Sequence, residues 1–203
     1  MDDVSKKALA KLKRDPRLKP IIQKVGAPTF YEYTRENLLA NLVGAIVGQQ
    51  LSGRVAEVMY DRLEKLGGKG FPNPRKLLKH TDEELRAVGL SRAKMAAIRD
   101  LADAVLTKRL DLDALEHLSD AEVEEALVGI KGIGPWTAHM ALIFTLRRPD
   151  VWPAADLGVR KALKVVLDLP AVPTAKEAET MGDHWKPYRS YACWYLWQLL
   201  DGK

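Results

Sequence analysis

The chain has 203 residues, 47% of them hydrophobic, which is enough to bury a core and too apolar for a disordered polymer. Its formal net charge of +5 favours a polyanionic partner without identifying one. The single cysteine, Cys193, excludes an internal disulfide framework and an iron–sulfur cluster held by four thiolates. The N-terminus is too charged for a signal peptide and no apolar run approaches membrane-spanning length, so the expectation is a soluble, intracellular protein with no membrane partner, cytoplasmic or nucleoid-associated if prokaryotic.

From Lys6 to Lys19, lysines and arginines mix with Ala8, Leu9, Leu12 and Leu18, a helix with a basic face broken at Pro16. Ile21 to Val25 continue as an apolar turn up to Gly26. Apolar residues recur at helical spacing from Asn37 to Val47 and again from Leu51 to Leu66. Between these helices stands Gly48-Gln49-Gln50, which on its own reads as two amides solvating a turn. Gly67-Gly68 end the second helix and Phe71-Pro-Asn-Pro74 is a loop. Thr81 and Ser91 look like successive helix starts, the latter opening Arg92 to Thr107, and Gly89-Leu-Ser-Arg92 has the outline of a short hairpin.

The densest signal lies further on. Ser119-Asp-Ala-Glu122 is a capping-box pattern that opens a helix running to Val128, where Gly129 stops it. Glycines at 132 and 134 follow, and Pro135 stands at the first position of a new helix, apolar from Trp136 to Leu146. Helix, glycine-punctuated hairpin, helix leaves amides pointing outward at a positive dipole end, which suits an anion, and Lys131 lies inside the hairpin. A plain turn between two helices with glycine caps would use the same glycines.

Asp156 occupies an N-cap position before a helix from Leu157 to Leu167. The last helix, Pro187 to Leu200, carries aromatic residues on most faces, so Trp194, Tyr195 and Trp197 read as core. No stretch alternates long enough for a strand, and the expected fold is all-α. The histidines, at 80, 117, 139 and 184, show no zinc spacing, and neither a G-x-S-x-G elbow nor a nucleotide-binding P-loop is present.

The stretch Leu127 to Ala138 resembles the helix-hairpin-helix of the DNA glycosylase superfamily. Its G-I-G-P-W-T-A version looks like the alkylbase branch, the 3-methyladenine DNA glycosylase II type, in a short form without the N-terminal β domain. Asp15-Pro-Arg-Leu18, Val47 to Ser52, Gly89-Leu-Ser91, Pro153 to Leu157 and Trp185 to Tyr191 extend the resemblance over nearly all of the chain from Asp15.

The resemblance implies two helical lobes with a substrate cleft between them. Residues 35–147 would carry the wedge and hairpin; residues 1–34 with 148–203 would carry the catalytic aspartate and the aromatic helix. Asp156 matches the catalytic carboxylate, and Gln50 the wedge pushed into the duplex where the target nucleotide has left the stack. Trp136, Tyr188, His139, Met140 and Trp185 match or approach the base pocket. The amides of Gly132, Gly134 and Thr137 match phosphate donors, with Lys131 in the hairpin and Arg189, equally readable as a solvated surface charge, as further candidate DNA contacts; the carbonyls of Val128, Ile130 and Ile133 match a site for Na⁺ or K⁺. No other cofactor is implied.

The lyase-active branch uses a lysine where this chain has Trp136, so the resemblance implies a monofunctional enzyme. The implied activity is hydrolysis of the N-glycosidic bond of 3-methyladenine or 7-methylguanine in damaged double-stranded DNA, by a monomer. A glycosylase for hypoxanthine or uracil and a non-catalytic helix-hairpin-helix DNA-binding protein are the alternatives at this point.

Overall fold

The computed structural model describes residues 1–29, 37–51, 53–200 and 202; the expected lobe boundary at residues 34–35 and Ser52 of the glutamine motif lie outside them. All regular structure among the described residues is helical. In chain order come α1 (Asp3–Leu12) and α2 (Lys19–Val25), then α3 (Leu38–Gly48), α4 (Gly53–Gly67), α5 (Pro74–Lys79), α6 (Asp82–Val88) and α7 (Arg92–Leu106). After these follow α8 (Asp120–Val128), α9 (Pro135–Met140), α10 (Leu157–Val166), α11 (Ala175–Ala178) and α12 (Arg189–Leu200). The backbone divides into two compact units, Met1–Tyr33 with Arg147–Lys203, and Thr34–Leu146.

In the second unit α3 is the central element. Its sequence is apolar on nearly every face, and Leu39, Ala40, Leu42, Val43, Ile46 and Val47 are all buried, as an interior helix requires. Helices α4, α7 and α9 pack against it. Caps set the surrounding helix starts. Thr81 with Glu84 and Ser119 with Glu122 form complete capping boxes at α6 and α8, and Ser91 accepts the Lys94 amide at α7.

Three elements differ from the sequence expectation. The basic N-terminal helix ends at Leu12, before Pro16, and the apolar turn after it is the seven-residue α2 with Pro20 in its first turn. The helix after the hairpin keeps α geometry only to Met140, then widens into a π-helical turn over Ala141–Thr145, closed by the Leu146 amide on the Ala141 carbonyl at 2.9 Å. The last helix begins at Arg189, two residues after Pro187.

The first unit is built on α12, against which α10, α2 and α1 pack. Tyr191 and Tyr195 are fully buried there, and each hydroxyl finds a partner: Ser5 Oγ at 3.1 Å for Tyr191, the Gly26 carbonyl at 2.8 Å for Tyr195. Cys193 is buried beside them, and burial pushes its thiol well above the usual range, which fits the small core residue expected.

Trp185 and Trp152 complete this core. Trp152 donates its indole N–H to the Ala178 carbonyl at 2.8 Å, and its ring lies over Gly182 so closely that a Cβ there would stand 2.6 Å from it. Trp185 donates to Asp15 Oδ2 at 2.8 Å, while Arg17 holds both oxygens of the same carboxylate at 2.9 and 2.8 Å. Burial alone would raise the pKa of Asp15. The Arg17 guanidinium and amide and the Trp185 indole outweigh it and bring the value down to about 2.

Two outcomes follow from this packing. Gly182→Ala must displace a hydrogen-bonded indole, so urea unfolding should show a loss of about 1–3 kcal/mol. For Asp15 the folded pKa lies below the unfolded one. Its contribution is therefore complete above pH ~4 and disappears as pH falls towards 2. Discounted for the partly exposed Arg17, it amounts to about 1–2 kcal/mol. Urea midpoints measured from pH 5 to 2 should fall less steeply for Asp15→Asn than for the native chain.

Candidate functional site

The hairpin joins α8 to α9 in the second unit. Ile130 and Ile133 are buried and anchor it, with the Ile133 amide donating to the Ile130 carbonyl at 3.0 Å. Gly132 lies between them at φ +78°, and a Cβ there would meet the Ala97 Cβ of α7 at 2.8 Å. Both the left-handed backbone and the close approach therefore demand glycine.

Beside it the Lys131 amide donates to Asp100 Oδ2 at 2.7 Å, and Arg109 pairs with Asp100 Oδ1 at 2.6 Å. The Lys131 amide, then Arg109, hold the Asp100 carboxyl below its usual range. The exposed Lys131 side chain lies at the tip, and Gly134 with Pro135 opens α9, whose first amides have no intrahelical acceptor.

On α9, Trp136 is 42% exposed, and Met140, one turn on, shares its face. His139 is turned towards Glu124, with Nε2 3.2 Å from the carboxylate. Thr137 is buried, and its hydroxyl accepts a hydrogen bond from Gln49 Nε2 at 3.2 Å; the same nitrogen donates to the Gly132 carbonyl at 2.8 Å. Sequence reasoning read Gln49 as a solvating amide and missed it. A glutamine pinned to a hairpin 83 residues away leaves no local signal.

Gln49 and Gln50 occupy the centre of a type II turn. Gln49 has φ −51° and ψ 128°, Gln50 has φ +58°, and the Leu51 amide donates to the Gly48 carbonyl at 3.1 Å. The second central position of such a turn favours glycine, so an exposed glutamine there carries backbone strain on the order of 1 kcal/mol. Lys94 Nζ donates to the Val47 carbonyl at 2.7 Å just before the turn, and burial lowers its pKa.

Asp156 lies in the first unit as the N-cap of α10. Its Oδ1 accepts the Val159 amide at 2.7 Å and the Trp197 indole N–H at 3.0 Å. Trp197 is thus not the plain core residue expected; it is half-buried and brings its polar edge to this carboxylate. Gly158 makes room for the arrangement, since a Cβ there would lie 3.0 Å from Asp156 Oδ1 and 3.1 Å from the Trp197 ring.

Three expected site residues have other duties. Trp185 is 1% exposed, its ring packed between Trp152 and His184, and it lies at the back of a cavity of about 600 Å³ rather than presenting an open face. Tyr188 is half-buried, edge-on to Tyr191, and forms part of the wall of the same cavity with Lys7, Lys11, Arg14 and Asp15. Asp156 does not line that cavity. Arg189 is engaged within the protein. Its guanidinium grips both Asp150 oxygens at 2.8 and 3.0 Å and the Asp150 carbonyl at 3.0 Å through Nε and Nη2, while Nη1 lies 3.8 Å from Asp183 Oδ1. Arg160 likewise donates to the Pro173 carbonyl.

Among the described residues no group of three or more His, Cys, Asp or Glu is placed to hold a metal ion, and no helix is long and apolar enough to cross a membrane.

Known proteins share this architecture. DNA-3-methyladenine glycosylase 1 of Schizosaccharomyces pombe is 35% identical over 159 residues, 77% of this chain and 70% of that protein. The structure of a Schizosaccharomyces pombe 3-methyladenine DNA glycosylase in complex with abasic DNA superposes with a TM-score of 0.88 at 32% identity, covering 96% of this chain and 97% of the other. A DNA-3-methyladenine glycosidase from Bacillus halodurans gives a TM-score of 0.79 at 35% identity over 97% of this chain and 88% of its own. The family pattern itself matches residues 43–187, from the core of α3 through the hairpin and Asp156 to the loop before α12. The chain belongs to the HhH-GPD superfamily of base excision DNA repair proteins.

Proposed function

We propose that the protein is a monofunctional DNA glycosylase of base excision repair, hydrolysing the N-glycosidic bond of alkylated purines flipped from duplex DNA. The observation that carries this reading is the likeness, at a TM-score of 0.88, to a 3-methyladenine DNA glycosylase bound to abasic DNA, in a chain that holds a fixed carboxylate at Asp156.

Cleavage of the bond from sugar to base builds positive charge on the sugar, so the transition state needs an oriented negative charge and a water aimed at C1′. Asp156 supplies the charge and orients or deprotonates the water. An alkylated purine such as 3-methyladenine or 7-methylguanine leaves already cationic, so its departure requires no general acid. The exposed Trp136 ring, with Met140 on the same face, offers a π-surface and a polarisable sulfur to an electron-poor base. Trp136 also stands where a Schiff-base lysine would be needed for strand cleavage.

The amides of Gly132, Gly134 and Thr137 and the Lys131 side chain bind backbone phosphate, and Gln50 fills the stack. A monovalent cation, Na⁺ or K⁺, fits the carbonyls of Val128, Ile130 and Ile133. Ile130 already accepts one amide and keeps a second lone pair for such an ion. It would fix the turn and add positive charge beneath the phosphate.

Chromatographic analysis of bases released from methylated duplex DNA tests the proposal, with DNA binding followed in parallel. The native protein should release 3-methyladenine or 7-methylguanine. Asp156→Asn should bind equally well but release them about 10²–10⁴-fold more slowly. Trp197→Phe removes the indole donor to Oδ1 and should cost about ten-fold. Borohydride should trap no covalent complex with DNA. Release of hypoxanthine or uracil and no alkylpurine would redirect the substrate, and binding without any release would leave a DNA-binding protein.

A further inference from the structure

We infer that Gln49 is a positioning residue: its side-chain amide ties the turn that presents Gln50 to the phosphate-binding hairpin, so that wedge and phosphate grip act as one rigid body. The inference rests on the proposed DNA-binding mode and goes beyond it, since Gln49 itself touches no DNA in this scheme.

The geometry is asymmetric. The hairpin is held on its own account, by buried Ile130 and Ile133, by Gly132 seated on Ala97 and by Asp100 on the Lys131 amide. The turn has far less. Its Gln50 backbone is in a conformation that glutamine rarely adopts, and the turn is closed by one amide at 3.1 Å. Lys94 holds only the residue that leads into it, Val47. Among the described residues, the turn is tied to the hairpin by one nitrogen, Gln49 Nε2, with two acceptors on the far side: the Gly132 carbonyl and the Thr137 hydroxyl.

Gly132 and Thr137 bracket the amides assigned to phosphate, so the latch ends on the grip itself. A side chain inserted between stacked bases must resist the push of the stack. Without the latch the strained turn can relax and let Gln50 retract, while the hairpin remains intact. Strain of this kind persists only where the surroundings over-determine it.

Gln49→Met keeps the length of the side chain and removes both donors. The experiment uses the full-length protein and an abasic-site duplex with 2-aminopurine beside the abasic position, whose fluorescence rises as the neighbouring bases unstack. At saturating protein the enhancement should fall to less than about half of the native value. The dissociation constant should change less than about three-fold and its salt slope should not change, because the phosphate contacts survive. In a Gln50→Ala background, Gln49→Met should lower the enhancement no further.

Enhancement of native size in Gln49→Met, or an equal further loss in the Gln50→Ala background, overturns the positioning role. If Gln49→Met fails to fold, Gln49→Asn, which keeps the donors one methylene short of their acceptors, is read in the same way. Base release by the native protein, run alongside, separates the two claims: fluorescence behaving as expected without release sinks the glycosylase reading and leaves the latch standing.

Discussion

The second unit depends on one close approach, the Gly132 backbone lying against Ala97. No other residue type fits there, because the conformation is left-handed and a Cβ would lie 2.8 Å from its neighbour. The approach decides where every other group of the hairpin lies. It brings the Lys131 amide to Asp100 on α7 and turns the Gly132 carbonyl towards Gln49. An acid at the foot of a hairpin proposed to bind phosphate looks opposed to that purpose. Its charge is taken up by the Lys131 amide and Arg109, so the outward field is left to the exposed Lys131 side chain and to the first amides of α9.

A comparable economy of parts holds at Asp156. The cap bond to Val159 sets the carboxylate relative to α10, and the Trp197 indole sets it relative to α12. Both bonds end on the same oxygen, so the group is oriented by two helices of one unit and does not rely on a mobile loop. Gly158 is the silent member, since a methyl group there would crowd the oxygen and the indole together. Capping and catalysis therefore make compatible demands on one side chain: the helix start supplies the orientation that the proposed chemistry needs.

Much of this was legible in the sequence because it is local. Capping boxes at Ser119 and Thr81, the glycines of the hairpin, Pro135 at a helix start and Asp156 at another all act within four residues, and the structure has each where the pattern placed it. What escaped is long-range. Trp197 meets Asp156 across 41 residues, Arg189 meets Asp150 across 39, and Gln49 meets Gly132 across 83. Aromatic residues on every face of α12 gave no indication of which ring would show a polar edge, and the widening of the helix after Met140 has no signature in a run of apolar residues. Trp185 matched a motif that also serves packing, and the structure buries it against Trp152 and His184.

The arginines change what a net charge of +5 means. Arg17 is bound to Asp15, Arg99 to Asp82 and to the His80 carbonyl, Arg109 to Asp100, Arg160 to the Pro173 carbonyl and Arg189 to Asp150. In these five the planar, multidentate guanidinium group braces loops and helix ends, where its geometry is worth most. In the proposed scheme, phosphate recognition at the hairpin falls to backbone dipoles with lysine beside them. Such a grip is indifferent to base sequence and positions the duplex without reading it. Discrimination in that scheme is then left to Trp136 and Met140 on α9, facing the extruded base, and to Gln50 filling the stack. Division of labour of this kind suits an enzyme that must bind any stretch of duplex and act only where one base has changed.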